Sequence, residues 1–275
     1  MSLNQQQLKF FADYIYKELG IVYAEHNYFQ LDQRLEKVAQ HNNFKSQIEL
    51  YNYCISNSIA GALKQYILDI ATNNETSFYR DQKLYTLVES ELLKNFNQFF
   101  PEEKKIKIWS AACSFGQEPY SIAMLIDKMK NNGTNLLDVE INASDISESA
   151  LEKARSGIYS QIEVQRGLPI DYLVKYFSKI DEMNWQLNDS IKSKVKFKKQ
   201  NLLDPIPHIN YFHIVFIRNV LIYQETERKK EIVSKILKTI VPGGFIIFGS
   251  SESGLGLSND IEQFSKDGAI VYRKK

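Results

Sequence analysis

Cysteine is scarce in this chain, with only Cys54 and Cys113 among 275 residues. Two isolated thiols exclude a disulfide framework and read as reduced cysteines of a cytoplasmic protein. Net charge is nearly absent as well: 34 Lys and Arg stand against 33 Asp and Glu, a formal +1. A chain without a basic excess has no overall field drawing it to nucleic acid or anionic lipid, so neither is expected as a partner. No apolar run approaches the roughly 20 residues that a spanning helix needs, so no direct membrane insertion is expected. The opening Met1-Ser2-Leu3-Asn4-Gln5 has neither the basic nor the apolar region of a secretory leader. Asn74-Glu75-Thr76 and Asn188-Asp189-Ser190 are therefore read as chance matches to the glycosylation pattern. The four histidines, His26, His41, His208 and His213, are scattered without metal-ligand spacing, so no metal is expected. No Ser-His-Asp or Cys-His arrangement is visible either.

What is present is an ordinary globular chain, 44% apolar and 24% charged, long enough for one large domain or two smaller ones. The first seventy or so residues read as four helices. Leu8, Phe11, Ile15 and Leu19 share one face and Gly20 stops it; Tyr28 to Ala39, Ser46 to Ser56 and Ile59 to Ile70 follow. The rhythm then changes. Ile106 to Ala111, Val139 to Ser144 and His213 to Ile217 read as strands, as do Phe245 to Gly249 and Ala269 to Arg273. Helices are predicted from Pro119, taken as the first helical position, over Ile146 to Arg155 and over Thr226 to Ile240, with Gly157 stopping the second. Gly243-Gly244 is read as the turn out of the third. Alternation of strand and helix predicts a parallel sheet covered on both faces. The last two strands are separated by residues with weak helical character, which suits a final strand that returns antiparallel. Between Gly167 and Asn201 the pattern breaks, with a short strand at Trp185 to Leu187 and a half-buried one at Lys194 to Lys198. The lysines of the latter read as a solvated face or as a docking surface for an acidic partner.

In an open parallel sheet, ligands sit beyond the carboxyl ends of the strands. The loop Ser110-Ala111-Ala112-Cys113-Ser114-Phe115-Gly116 is rich in small residues but holds one glycine. It is therefore not the G-x-G-x-x-G dinucleotide fingerprint, and a cofactor without a pyrophosphate suits it better. Asp145 ends a strand and could accept from both ribose hydroxyls of an adenosine; with Glu148 it also fits a capping box. Glu118 stands at a helix entrance, where a charge–dipole role is equally available. Arg218-Asn219 follows an apolar strand.

Taken together, these segments resemble the chemotaxis receptor glutamate O-methyltransferase family, the CheR type. The matching stretches begin with Thr72-Asn73-Asn74-Glu75-Thr76-Ser77-Phe78-Tyr79-Arg80-Asp81 and Trp109 to Ser121. Ala143-Ser144-Asp145-Ile146-Ser147, Ala154 to Tyr159 and Asn201-Leu202-Leu203-Asp204 follow. Arg218-Asn219-Val220-Leu221-Ile222-Tyr223, then Gly243-Gly244 with Gly249-Ser250-Ser251-Glu252, complete the set in family order.

The resemblance implies an α/β, Rossmann-like class I methyltransferase with a mostly parallel seven-stranded sheet whose last strand is antiparallel. It implies an N-terminal all-α domain over residues 1–72, a linker 73–82 contributing to the cofactor pocket, and a methyltransferase domain over 83–275 with a small β insertion at about 168–198. S-adenosylmethionine is the implied cofactor and S-adenosylhomocysteine the product. Cofactor contacts carried over by position fall on Asn74, Thr76, Arg80, Glu118, Asp145, Asn201, Leu202, Arg218 and Asn219, with Arg80 and Tyr223 beside the transferred methyl. The implied substrate is a glutamate carboxylate on the cytoplasmic domain of a methyl-accepting chemotaxis receptor. A monomer is expected.

Two departures from the family pattern shape the partner expectation. The helix matching a basic receptor-gripping helix offers Arg34 and Lys37 beside Asp32 and Glu36, and residues 1–82 carry seven Lys and Arg against nine Asp and Glu, a net −2. The segment Ile180 to Asn188 lacks the glycines of members that bind a receptor's C-terminal pentapeptide, so tether-independent binding is expected. A non-catalytic, cofactor-binding adaptor and a methyltransferase for another acceptor are the competing readings.

Overall fold

The computed structural model describes residues 2–275. Four helices come first: α1 (Gln5–Leu19), α2 (Tyr28–His41), α3 (Gln47–Ser56) and α4 (Gly61–Ala71). α1 starts with a reciprocal cap, the Asn4 side chain accepting from the Gln7 N–H and the Gln7 side chain from the Asn4 N–H. It ends at Gly20, whose φ of 72° suits a residue without a Cβ. Leu8, Phe11, Ile15 and Leu19 meet Leu31, Leu35, Leu50 and Ile67 in one core. Ile146, from beyond the second strand of the sheet, packs against that same core.

Short helices α5 (Gln82–Leu87) and α6 (Phe96–Phe99) lead to β1 (Lys105–Ala111), α7 (Gln117–Asn131), β2 (Asp138–Asp145) and α8 (Glu148–Ser156). Then come β3 (Ile158–Ser160), α9 (Gln161–Gln165), α10 (Ile170–Tyr176), β4 (Phe177–Lys179), β5 (Asn184–Leu187) and α11 (Asp189–Lys192). The chain closes with β6 (Val195–Lys199), β7 (Phe212–Ile217), α12 (Thr226–Thr239), β8 (Ile240–Phe248), β9 (Ile261–Lys266) and β10 (Ala269–Lys274). The large sheet has seven strands in the order β6-β2-β1-β7-β8-β10-β9. The first five run parallel, and β10 is antiparallel to both β8 and β9. The parallel strands are those that the alternation of elements predicts, and the mostly parallel, Rossmann-like seven-stranded arrangement is the one that the resemblance implies. β3, β5 and β4 form a separate three-stranded sheet.

Four local features differ from expectation, each for a physical reason. β9 has almost no apolar periodicity because it is an edge strand, with only Ile261 buried. Its signature is the turn into β10, where Asp267 and Gly268 both have positive φ (51° and 82°), the conformation a two-residue hairpin demands. Gly243-Gly244 does not end a loop but lies inside β8, at a register shift. A Cβ on Gly244 would stand 2.9 Å from the His213 carbonyl, so the close strand approach excludes a side chain. β6, placed with the small insertion by its broken pattern, pairs with β2 at the edge of the large sheet. Pro119 is the third residue of α7, still within the turn whose N–H groups have no helical partner.

His213 on β7 is fully buried. Its Nδ1 accepts from the Lys107 N–H at 3.0 Å, and its Nε2 lies 3.5 Å from Glu103 Oε1. Burial holds its pKa below the ordinary value, with Glu103 acting in the opposite sense. The unfolded chain therefore takes up the proton more readily than the fold does. The stability that His213 contributes is complete above its unfolded pKa of about 6.5 and is lost as pH falls through and below that value. Melting temperature should fall more steeply between about pH 7 and 5 in the wild type than in His213→Gln, which cannot titrate there. Equal slopes would show that His213 does not set this dependence.

Candidate active site

From β1 the chain moves outward through β2 to β6, then returns to β7 on the other side of β1. The carboxyl ends of β1, β2 and β7 flank this reversal of strand order, the place where open sheets hold ligands. A cleft of about 1000 Å³ opens there, its solvent-filled mouth included. Asn74, Thr76, Arg80, Glu118, Asp145, Asn201, Leu202, Arg218, Asn219 and Tyr223 all line it. Sequence positions up to 149 residues apart among these ten (223 − 74) thus meet in one cavity.

The loop after β1 holds Ala112 and Ser114 at φ of 58° and 51°. Such backbone costs about 1–3 kcal/mol per residue and gathers at ligand sites. Three bonds lock it in place, one of them from the Cys113 N–H to the Ser144 carbonyl at 2.9 Å. The Ser114 N–H donates to Asp145 Oδ2 at 2.8 Å, and Ser114 Oγ donates to the Asn74 carbonyl at 2.8 Å. Asp145 is 5% exposed, and its other oxygen accepts from the Ser147 N–H at 2.9 Å. Burial raises its carboxyl above the ordinary value, while the N–H groups of Ser147 and Ser114 oppose the rise. A carboxylate offers about four acceptor positions, so two remain for a ligand. The capping-box alternative does not form. Ser147 caps α8 through the Ala150 N–H, and Glu148 pairs with Arg155.

Arg218, at the end of β7, is 7% exposed. Its Nη1 donates to Glu118 Oε2 at 3.0 Å, and its Nη2 donates to the Arg80 carbonyl at 2.8 Å. The second oxygen of Glu118 accepts from Ser110 Oγ at 2.8 Å. Burial opposes the guanidinium charge, but Glu118 and its neighbours outweigh it and hold the pKa above the ordinary value. Nε of Arg218 is buried and has no protein partner.

The segment 73–82 forms one wall of the cleft because it is pinned at several points. Phe78 is fully buried against Tyr159 and Phe177, and the Tyr79 N–H donates to Ser121 Oγ at 3.0 Å. Arg80 is held loosely, its Nη1 donating to the Glu75 carbonyl at 3.3 Å. At the mouth, Asn73 Nδ2 donates to the Tyr223 hydroxyl at 2.7 Å.

Sequence reasoning missed the third wall. Leu19 and Ile21 line the cleft from the end of α1. The Val22 N–H donates to the Tyr223 carbonyl, Gln224 Nε2 to the Leu19 carbonyl, and Asn201 Nδ2 to the Glu18 carbonyl. Gly20 was legible only as a helix stop, yet a Cβ there would stand 2.2 Å from Gln224 Oε1. Among the described residues, no group of three or more His, Cys, Asp or Glu could hold a metal, and no helix is long and apolar enough to cross a membrane.

Residues 74–270 match the family model described as CheR methyltransferase, SAM binding domain. The chain belongs to the CheR methyltransferase family. Its matched stretch is that family's S-adenosylmethionine-binding domain and takes in every residue of the cleft from Asn74 to Ile232. Full-length relatives agree. Chemotaxis protein methyltransferase Cher2 of Pseudomonas putida is 33% identical over 277 residues, covering 100% of both chains. Chemotaxis protein methyltransferase 1 of Pseudomonas aeruginosa matches to the same extent, 33% over 277 residues and 100% of both chains. The chemotaxis protein methyltransferase of Vibrio parahaemolyticus is 32% identical, over 100% of this chain and 99% of that one.

Proposed function

We propose that this CheR-family protein transfers a methyl group from S-adenosylmethionine to glutamate side chains of methyl-accepting chemotaxis receptors, leaving S-adenosylhomocysteine. The observation that carries the reading is the cleft at the strand reversal, where a buried Asp145 keeps acceptor capacity and a buried Arg218 keeps an unpartnered donor. These features suit the cofactor's two polar ends. Asp145 would accept from the ribose hydroxyls, Ile146 and Leu202 would pack on the base, and Arg218 Nε would meet the amino-acid carboxylate.

When bound, S-adenosylmethionine supplies an electrophilic methyl group that needs no further activation. The attacking glutamate has an unperturbed pKa of about 4.3 and is already ionised near neutral pH. No general base is required, and no histidine lines the cleft. Charge diminishes on both reactants as the bond forms, so the site works by alignment, which can be worth roughly 7–11 kcal/mol. Arg80 would orient the reactants, and Tyr223 would align the attacking oxygen. An Arg80 bound tightly to the attacking carboxylate would stabilise the ground state more than the transition state. Its single long bond to the protein supports a looser, orienting role.

Arg80→Ala should therefore lower turnover about 100-fold, the cost of a small misplacement, with the melting temperature little changed. Unchanged cofactor binding together with unchanged transfer would remove Arg80 from the mechanism.

In this reading residues 1–72 form a helical receptor-docking domain, residues 73–82 the linker wall, and residues 83–275 the methyltransferase domain of a cytoplasmic monomer. Docking uses few charges, because Arg34 is spent internally on the Tyr23 hydroxyl (2.6 Å) and the Ala71 carbonyl (2.7 Å). Binding would also be independent of a C-terminal pentapeptide tether, and calorimetric affinity for such a peptide would sink that part. The reading as a whole is tested by incubation with methyl-labelled cofactor and receptor cytoplasmic domains. Base-labile label supports an ester. Base-stable label indicates another acceptor, and no label indicates a non-catalytic adaptor.

A further inference from the structure

Glu252 lies in the turn that follows β8, outside the cleft lining. Its carboxylate accepts five backbone N–H groups. Oε2 takes those of Asn219 (2.7 Å) and Gly249 (2.8 Å), and Oε1 those of Val220 (3.0 Å), Leu221 (2.8 Å) and Ile222 (3.2 Å). Converging peptide N–H groups form a concavity suited to an anion, and here the chain supplies the anion itself. The approach is close enough to exclude a side chain at Gly249, whose Cβ would stand 2.8 Å from Glu252 Oε2 and 3.0 Å from the Asn219 N.

Four of the five donors are consecutive residues that join Arg218 to Tyr223. Elsewhere that segment is held by the buried Leu221 side chain and, at its far end, by the bonds of Tyr223 to Val22 and Asn73, so the peptide N–H groups of 219–222 depend on Glu252. Asn219 is at φ 59°, and Leu221–Tyr223 is a single 3-10 turn with Ile222 and Tyr223 at the surface. We propose that Glu252 is a positioning residue whose carboxylate fixes the Asn219–Ile222 backbone and so sets where the Tyr223 hydroxyl stands in the cleft. The proposal rests on the role given to Tyr223 above. A glutamine would keep the shape but lose the charge, and would turn an amide N–H toward peptide N–H groups.

Hydrogen exchange on the cofactor-free protein reads the anchoring directly. In Glu252→Gln, amides 219–222 should exchange at least about tenfold faster, with the β1 and α7 amides unchanged. Turnover should fall at least about tenfold, while cofactor affinity changes less, because Asp145 and Arg218 are anchored independently. Combined with Tyr223→Phe, the two losses should be less than additive in free energy, since one acts through the other. Unchanged exchange would overturn the proposal, and so would additive losses with a normally impaired Tyr223→Phe. An inert Tyr223→Phe would instead sink the reading of Tyr223 and carry the proposal down with it.

Discussion

Arg218→Met should destabilise the protein by about 3–5 kcal/mol, the cost of leaving one member of a buried ion pair without its partner. Arg218 and Glu118 have side chains only 3% and 12% exposed. Removing the guanidinium strands a carboxylate that then has Ser110 Oγ as its one protein hydrogen bond, and strips the Arg80 carbonyl of its donor. At roughly 2–4 °C of melting temperature per kcal/mol for a domain approaching this size, the loss is easily measured. The double variant Glu118→Gln with Arg218→Met should lose less than the sum of the two single changes, because the stranded charge is gone. Additive losses would mean that the pair is not coupled as its geometry implies.

Asp145→Ala should weaken S-adenosylmethionine binding at least about 100-fold. Hydrogen bonds to a charged group are worth about 1.5–3 kcal/mol each, and two are proposed to the ribose. The substitution also frees the N–H groups of Ser114 and Ser147, so the loop after β1 is tied to β2 only by the Cys113 N–H, which donates to the Ser144 carbonyl at 2.9 Å. Asp145→Asn, which keeps an acceptor, should fall between the two. Titration calorimetry distinguishes the cases, and affinity within twofold of wild type for Asp145→Ala would contradict the assignment.

The sequence made the fold readable where apolar residues cluster or recur. β1, β2 and β7 show as short apolar runs, the mark of strands buried on both faces, and α12 shows through apolar residues at helical spacing. β9 does not, since an edge strand with one buried residue has no pattern to show, and only the Asp267-Gly268 turn betrays it. β6 could be recognised as a strand but not assigned to a sheet, because pairing partners are not written in local composition. The site divides in the same way. Asp145 and Arg218 could be singled out at strand ends, but the convergence of Asn74, Asn201 and Tyr223 on them depends on the strand reversal, and the family resemblance supplied it. Gln224 and Glu252 stayed hidden because each works through backbone groups of a remote segment.

The most direct test is to locate the methyl group. Receptor cytoplasmic domain incubated with the protein and S-adenosylmethionine should yield, by tandem mass spectrometry, methyl esters on glutamate side chains. The modification should be removed by mild base and be absent with the Asp145→Ala variant. Methyl groups on any other residue, or esters formed equally well by Asp145→Ala, would contradict receptor glutamate esterification at this cleft.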